Sequence, residues 1–206
     1  MVKFARIKKI IMNTDDPQGK IRLTKHTIDT APPVSKEILL NSETNFGFIP
    51  NMFTLMANNP SLLDSYNHGY NSFRANSGFS PDEQEVIFLS ASYENECHYC
   101  VPAHSFMADE VSGVPKKVIE LIRNGIDHDQ DENRLMELSR FTRSVVKNRG
   151  AVPENDIKLF FEVGFDEKAI AGVIAGVGVK TMSNYFNKIV QTPLDAMFAN
   201  RKWSPK

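Results

Sequence analysis

Residues 80–104 read SPDEQEVIFLSASYENECHYCVPAH, and the fold turns on how this stretch divides. Ser80-Pro81-Asp82-Glu83 offers an N-cap serine, a proline at the first helical position and a glutamate at the third, the pattern of a capping box. Val86, Ile87 and Leu89 follow, which places Glu85 on a firm amphipathic helix. Asn95 breaks that helix and a second begins near Cys97. Pro102 fits the second helix only in or near its first turn, where a missing N–H costs little. The cysteine pair then sits at a helix N-terminus, where the positive end of the dipole favours a thiolate. On an ideal helix Cys97, Cys100 and His104 fall at ~0°, ~300° and ~340°, one face roughly 60° wide.

Outward from this stretch the chain reads as successive helices from Ser35 onward. Pro60 to Ala75 carries Leu62, Leu63, Tyr66, Tyr70 and Phe73 at helical spacing, and Pro115 to Asn124 forms a shorter helix. Asp131 to Arg149 turns Leu135, Leu138, Phe141, Val145 and Val146 inward, with Gly150 as its C-cap and Pro153 beyond. Glu154 to Val163 follows, and Asp166 caps a long helix reaching about Val190. No alternating run is long enough to demand a sheet, so the expected class is all-α. Residues 1–34, punctuated by Pro17, Gly19, Pro32 and Pro33, read as an extended N-terminal arm, and 35–206 as one helical domain. Gly78-Phe79-Ser80 and Gly164-Phe165-Asp166 each open a long helix, a faint internal echo. At the same offset Cys97, Cys100 and His104 align with Asn184, Asn187 and Gln191, so a second copy would keep the packing and lose the chemistry.

Composition excludes several classes of function. A formal net charge of -1 over 206 residues points to neither nucleic acid nor an anionic membrane surface. The longest wholly apolar run, Ala169 to Val179, falls short of the ~18 residues a membrane span needs. Lys8, Lys9, Asn13, Asp15 and Asp16 interrupt the N-terminus, so it does not read as a signal peptide. With 2 cysteines the chain is no disulfide scaffold, which favours a reducing, cytoplasmic setting.

The chemistry concentrates on those cysteines. Only a thiolate attacks, and an ordinary thiol is mostly protonated at neutral pH. The helix N-terminus acts mainly on Cys97. A Glu85–His104 pair would act mainly on Cys100, the carboxylate orienting the imidazole that takes the thiol proton. Cys100 is then the attacking thiolate and Cys97 the resolving one: a peroxide converts Cys100 to a sulfenic acid, Cys97 condenses with it, and an outside reductant reopens the disulfide. Two other readings stand beside this one. C-x-x-C is half of a zinc site, which His104 and one of His26, His68, His98 or His128 would complete, and buried structural cysteines are a second possibility.

The stretch EVIFLSASYENECHYCVPAH, Glu85 to His104, resembles the signature of the carboxymuconolactone decarboxylase and alkyl hydroperoxidase D superfamily. Redox members of that family show a glutamate, eleven intervening residues and C-x-x-C-x-x-x-H. The similarity extends through Gly47-Phe48-Ile49-Pro50-Asn51-Met52, Asn59-Pro60, Asn184-Tyr185-Phe186-Asn187 and Thr192-Pro193-Leu194-Asp195, closest to the peroxidase-related subgroup. It implies an all-helical fold that assembles as trimers or hexamers. It also implies peroxidase or disulfide-reductase activity on a hydroperoxide, with no cofactor beyond the cysteine pair and a thiol or lipoyl-type protein as reductant. Glu85 and His104 would relay the proton of Cys100, with Cys97 resolving. Members with a histidine immediately before the second cysteine differ from this chain, which has Tyr99 there and His98 one place earlier. A cofactor-free decarboxylase on the same scaffold, with Glu85 and His104 as its acid–base residues, is the alternative activity. A zinc-stabilised binding protein is the non-enzymatic alternative.

Other features carry less. In Ala169 to Thr181 Val179 separates Gly178 from Lys180, so no phosphate-loop pattern results; the small residues Gly172, Ala175 and Gly176 suit close helix contacts. Asp127, Asp129 and Asp131 lack the glycine and glutamate of a calcium loop and read as a solvated turn. His68 is expected in the core or a pocket. Phe46, Phe48, Phe53, Tyr66 and Tyr70 are assigned to core packing in preference to a pocket over the cysteines.

Overall fold

The capping box forms as its residues dictate: Ser80 N–H donates to Glu83 Oε2 at 3.0 Å and the helix starts at Pro81. The computed structural model describes residues 21–127 and 134–205. In chain order the elements are α1 (Pro33–Phe46), α2 (Asn51–Met56), α3 (Pro60–Asn76), α4 (Pro81–Glu94) and α5 (Cys100–Glu110). There follow α6 (Lys116–Asn124), α7 (Arg134–Lys147), α8 (Glu154–Glu162), α9 (Glu167–Val190) and a 3-10 helix over Ala196–Arg201. No strand occurs among the described residues, and the class is all-α.

α4 is the axis of the molecule, packed against α5, α7 and α9. Every residue from Gln84 to Ser92 is buried, so α4 is not the amphipathic helix its pattern suggested. Its polar positions are satisfied inside: Ser90 bonds Ser139 at 2.7 Å, and Gln84 donates to the carbonyls of Arg74 and Phe79. α9 approaches α4 and α3 through glycine. A Cβ on Gly176 would lie 2.7 Å from Ile87 Cγ2 and 2.9 Å from Phe73 Cε2. Asp166 caps α9, its Oδ1 accepting from Ala169 N–H at 2.9 Å. No helix is long and apolar enough to cross a membrane among the described residues.

Residues 1–20 of the expected arm lie outside the described residues, as do Asp129, Asp131 and His128 and the start expected for α7. Residues 21–32 contain no helix and lie on α2: His26 N–H donates to the Thr54 carbonyl at 3.0 Å, and Asn58 Nδ2 to the Thr24 carbonyl at 2.7 Å. His68 is exposed on α3, neither core nor pocket, because the apolar stripe of that helix runs through Leu63, Tyr66 and Phe73.

Candidate active site

α4 ends at Asn95, and Glu96 takes the left-handed conformation with φ 53°. That turn ends one helix and redirects the chain to Cys97. Cys97 is not helical: it precedes α5, whose first residue is Cys100, and Pro102 falls in the first turn. The ideal-helix placement of all three side chains on one face is therefore corrected. Cys97 reaches the site by a turn, with Cys100 N–H donating to Cys97 Sγ at 3.1 Å. Both thiols are free and buried.

The structure brings together all four residues expected at the site. His104 Nδ1 lies 2.8 Å from Glu85 Oε2; an ionised carboxylate only accepts, so Nδ1 carries the hydrogen. Glu85 is fully buried and its other oxygen accepts from Arg74 of α3, which also donates to Tyr70 Oη at 2.9 Å. Burial alone would push the Glu85 carboxyl up. The His104 N–H and the Arg74 guanidinium outweigh burial and hold it below the ordinary carboxylate range.

Both ring nitrogens of His104 have side-chain partners other than Cys100. His104 Nε2 accepts from Lys180 Nζ at 2.7 Å, so both ring nitrogens are occupied by other side chains. Burial and the Lys180 charge together depress His104 to about 4, which keeps the imidazole neutral. No lone pair of that ring is left for a zinc ion beside the thiols. His98 is elsewhere too, its Nε2 3.1 Å from the Thr192 carbonyl. Lys180 was invisible as a site residue because its neighbours matched no motif. Its signal was that it is the sole charge between Lys168 and Lys188, in a helix of small and apolar residues.

The two thiols are driven apart. For Cys100 burial raises the pKa, but hydrogen bonding by Cys97, the Lys180 charge and the amides of Asn187 and Asn184 outweigh it, leaving it at about 6. Asn187 Nδ2 donates to Cys100 Sγ at 3.2 Å. Burial pushes Cys97 well up, as does the neighbouring Cys100 sulfur. Asn187 and Asn184 are the positions that the internal echo aligns with Cys100 and Cys97. α9, in the C-terminal half of the chain, supplies Asn187 and Lys180 to the site. Phe79 and Phe165, also equivalent in the echo, pack edge to face with centroids 5.9 Å apart.

Above Cys100 opens a cavity of about 530 Å³, reaching from Cys100, His104 and Lys180 to a mouth between α1, α3 and the 3-10 helix. Phe46, Phe48, Phe53, Tyr66 and Tyr70 line it, so these aromatics form a pocket and not core packing alone. Phe46 stands at the rim, 51% exposed. Asn41, Asn45, Asn67 and Asn71 also line the cavity, and among the described residues no carboxylate does. Tyr99 is a buried wall residue whose hydroxyl donates to Asp195 Oδ2.

No protein-family signature and no curated protein matches this sequence. Solved structures do match. One is an alkylhydroperoxidase AhpD core, an uncharacterized peroxidase-related protein from Ralstonia eutropha JMP134, with 21% identity, TM-score 0.77, and 86% of this chain and 93% of that one covered. An uncharacterized peroxidase-related protein from Silicibacter sp. TM1040 gives 22% identity and TM-score 0.71 over 87% and 95% of the two chains. The debrominase Bmp8 gives 17% identity and TM-score 0.62 over 82% and 89%. A cysteine-to-alanine variant of Bmp8 was solved with 2,3,4-tribromopyrrole. The chain shares the all-helical fold of these structures, the AhpD core among them, as its central stretch suggested.

Proposed function

We propose that this chain, built on the AhpD-core fold, is a thiol-dependent peroxidase for organic hydroperoxides with an apolar body. The observation that carries the reading is the position of Cys100: on the floor of an aromatic cavity, with the buried sulfur of Cys97 against its own N–H. The Cys100 thiolate attacks the terminal peroxide oxygen. An S–O bond forms, the O–O bond breaks, and the alkoxide leaves as an alcohol after taking one proton. Cys97 then attacks the sulfenic acid, forming the disulfide and expelling water. A dithiol from outside the chain restores both thiols by exchange. Cys97 suits the second step because its raised pKa keeps it out of the first.

The test counts thiols after stoichiometric cumene hydroperoxide. Wild type should lose both, Cys97→Ser should stop at a Cys100 sulfenic acid trapped by dimedone, and Cys100→Ser should leave Cys97 reduced. Wild-type thiols that survive the peroxide sink the proposal.

The cavity favours one second reading, reductive dehalogenation of an apolar haloarene, since a flat ring fits aromatic walls and a neutral rim. Cys100 would take the halogen and leave a carbanion to be protonated. Cys97 would then expel halide and close the same disulfide, two thiols supplying two electrons. Halide release from a bromopyrrole without added peroxide distinguishes it. The decarboxylase reading has less support, because Glu85 lies behind the His104 ring and both nitrogens of that ring are engaged.

A further inference from the structure

We propose that Lys180, and not His104, exchanges the proton with Cys100, and that Glu85 and His104 serve the reaction by holding Lys180 in place. The inference rests on the thiol-peroxidase reading and deepens it. Lys180 comes from the middle of α9, is 1% exposed, and shares the cavity floor with Cys100 and His104. Its Nζ donates to His104 Nε2 at 2.7 Å and lies 5.4 Å from the centroid of the Phe88 ring. No carboxylate of a described residue lies within ion-pair distance of it. A buried ammonium is costly unless an anion faces it, and a neutral imidazole is not one.

The surrounding titratable groups narrow the choice of anion. Glu85 of α4 is already paired with Arg74 of α3 and bonded to His104. Burial keeps Tyr66 and Tyr70 of α3 as phenols, and Tyr99 and Cys97, before α5, also stay protonated. The parts of α1 and the 3-10 helix that line the cavity carry no titratable side chain. Cys100 is the group left to carry the negative charge, and its thiolate and the Lys180 ammonium neutralise each other.

This pair closes the proton balance of the cycle. As the O–O bond breaks, Lys180 gives a proton to the departing alkoxide and becomes a neutral amine. The sulfenic oxygen keeps the hydrogen it had in the hydroperoxide, and leaves with the Cys97 proton as water when the disulfide forms. An entering dithiol supplies two hydrogens, one to each sulfur, and Cys100 passes its own back to Lys180. His104 changes charge in none of these steps. It is a positioning residue, its Nδ1–H fixed on Glu85 so that Nε2 must accept from Lys180.

The experiment is the pH profile of Cys100 alkylation by iodoacetamide, followed on the Cys100 peptide by mass spectrometry. Lys180→Met should lower the rate at about pH 5, below the wild-type thiol pKa, by about tenfold, one unit of thiol pKa, while the limiting rate at high pH is retained. Lys180→Arg should recover most of the loss. His104→Gln should shift the profile less than Lys180→Met does. A Lys180→Met profile that coincides with wild type overturns the proposal. If Lys180→Met does not fold, His104→Gln decides alone: a shift of a full unit or more assigns the proton to His104 and overturns the proposal, and a smaller one supports Lys180. The readout uses no peroxide. A shifted profile in a protein that consumes no hydroperoxide therefore refutes the peroxidase reading and leaves Lys180 as the proton partner of Cys100.

Discussion

Reactivity at Cys100 is set by three kinds of neighbour, each supplied by a different part of the chain. The Cys97 sulfur comes from the turn before α5, the Lys180 charge from the middle of α9 and the Asn187 amide from near its end. Hydrogen bonds to a charged acceptor contribute about 1.5–3 kcal/mol, or roughly one to two units of pKa. Asn187→Ala should therefore raise the Cys100 pKa from about 6 and slow its alkylation at pH 6 by about tenfold, with the rate recovered at alkaline pH. Glu85→Gln acts differently. It leaves Arg74 without its buried partner and weakens the orientation of His104, a change expected to cost about 3–5 kcal/mol, measurable as a lower urea midpoint. Cys97, Cys100 and His104 were legible because their spacing is short and local. Glu85 needed family likeness, since one glutamate on a capped helix is ordinarily solvated. Lys180 and Arg74 were not legible, because only the crossing of α3, α4 and α9 brings them to the histidine and the glutamate.

At the scale of the element, the glycines of α9 divide into two kinds. Gly176→Ala would drive a Cβ into Ile87 and Phe73, and overpacking of about 1–3 kcal/mol should exceed the ~1 kcal/mol gained in helix propensity. Gly178 faces open space, so Gly178→Ala should stabilise by about 0.5–1 kcal/mol. Opposite shifts in urea midpoint check both. Helix ends were the most legible features of the chain. Ser80, Asn59 and Asp166 cap as their types predict, because a cap is satisfied within four residues and needs no tertiary partner. The character of α4 was not legible in the same way. Glu85, Ser90 and Ser92 are polar types that ordinarily face solvent, and only the packing of α5, α7 and α9 around them makes their positions interior.

For the whole molecule the buried site links folding to pH. His104 sits at about 4 in the folded chain against 6.5 for a free imidazole, so the unfolded chain binds more protons between those values. The His104 contribution to stability then rises with pH, fully present above 6.5 and lost as pH falls toward 4, by roughly 3 kcal/mol over that window. Urea midpoints at a series of pH values should show this acid limb, and His104→Gln should flatten it. An unchanged limb in that variant would assign the acid sensitivity to other groups. The sequence by itself determined an all-helical chain and a cysteine pair at a helix start with a histidine one turn on. Those features rest on contacts within a few residues, which local spacing specifies. Only the tertiary structure decided what the cysteines face: an aromatic cavity in front, and on its lining a neutral histidine bonded to a lysine that α9 supplies. Burial supplies the physical reason, since it makes one ammonium at the cavity floor strong enough to reorder the acidities around it, and burial is a property of the packed chain.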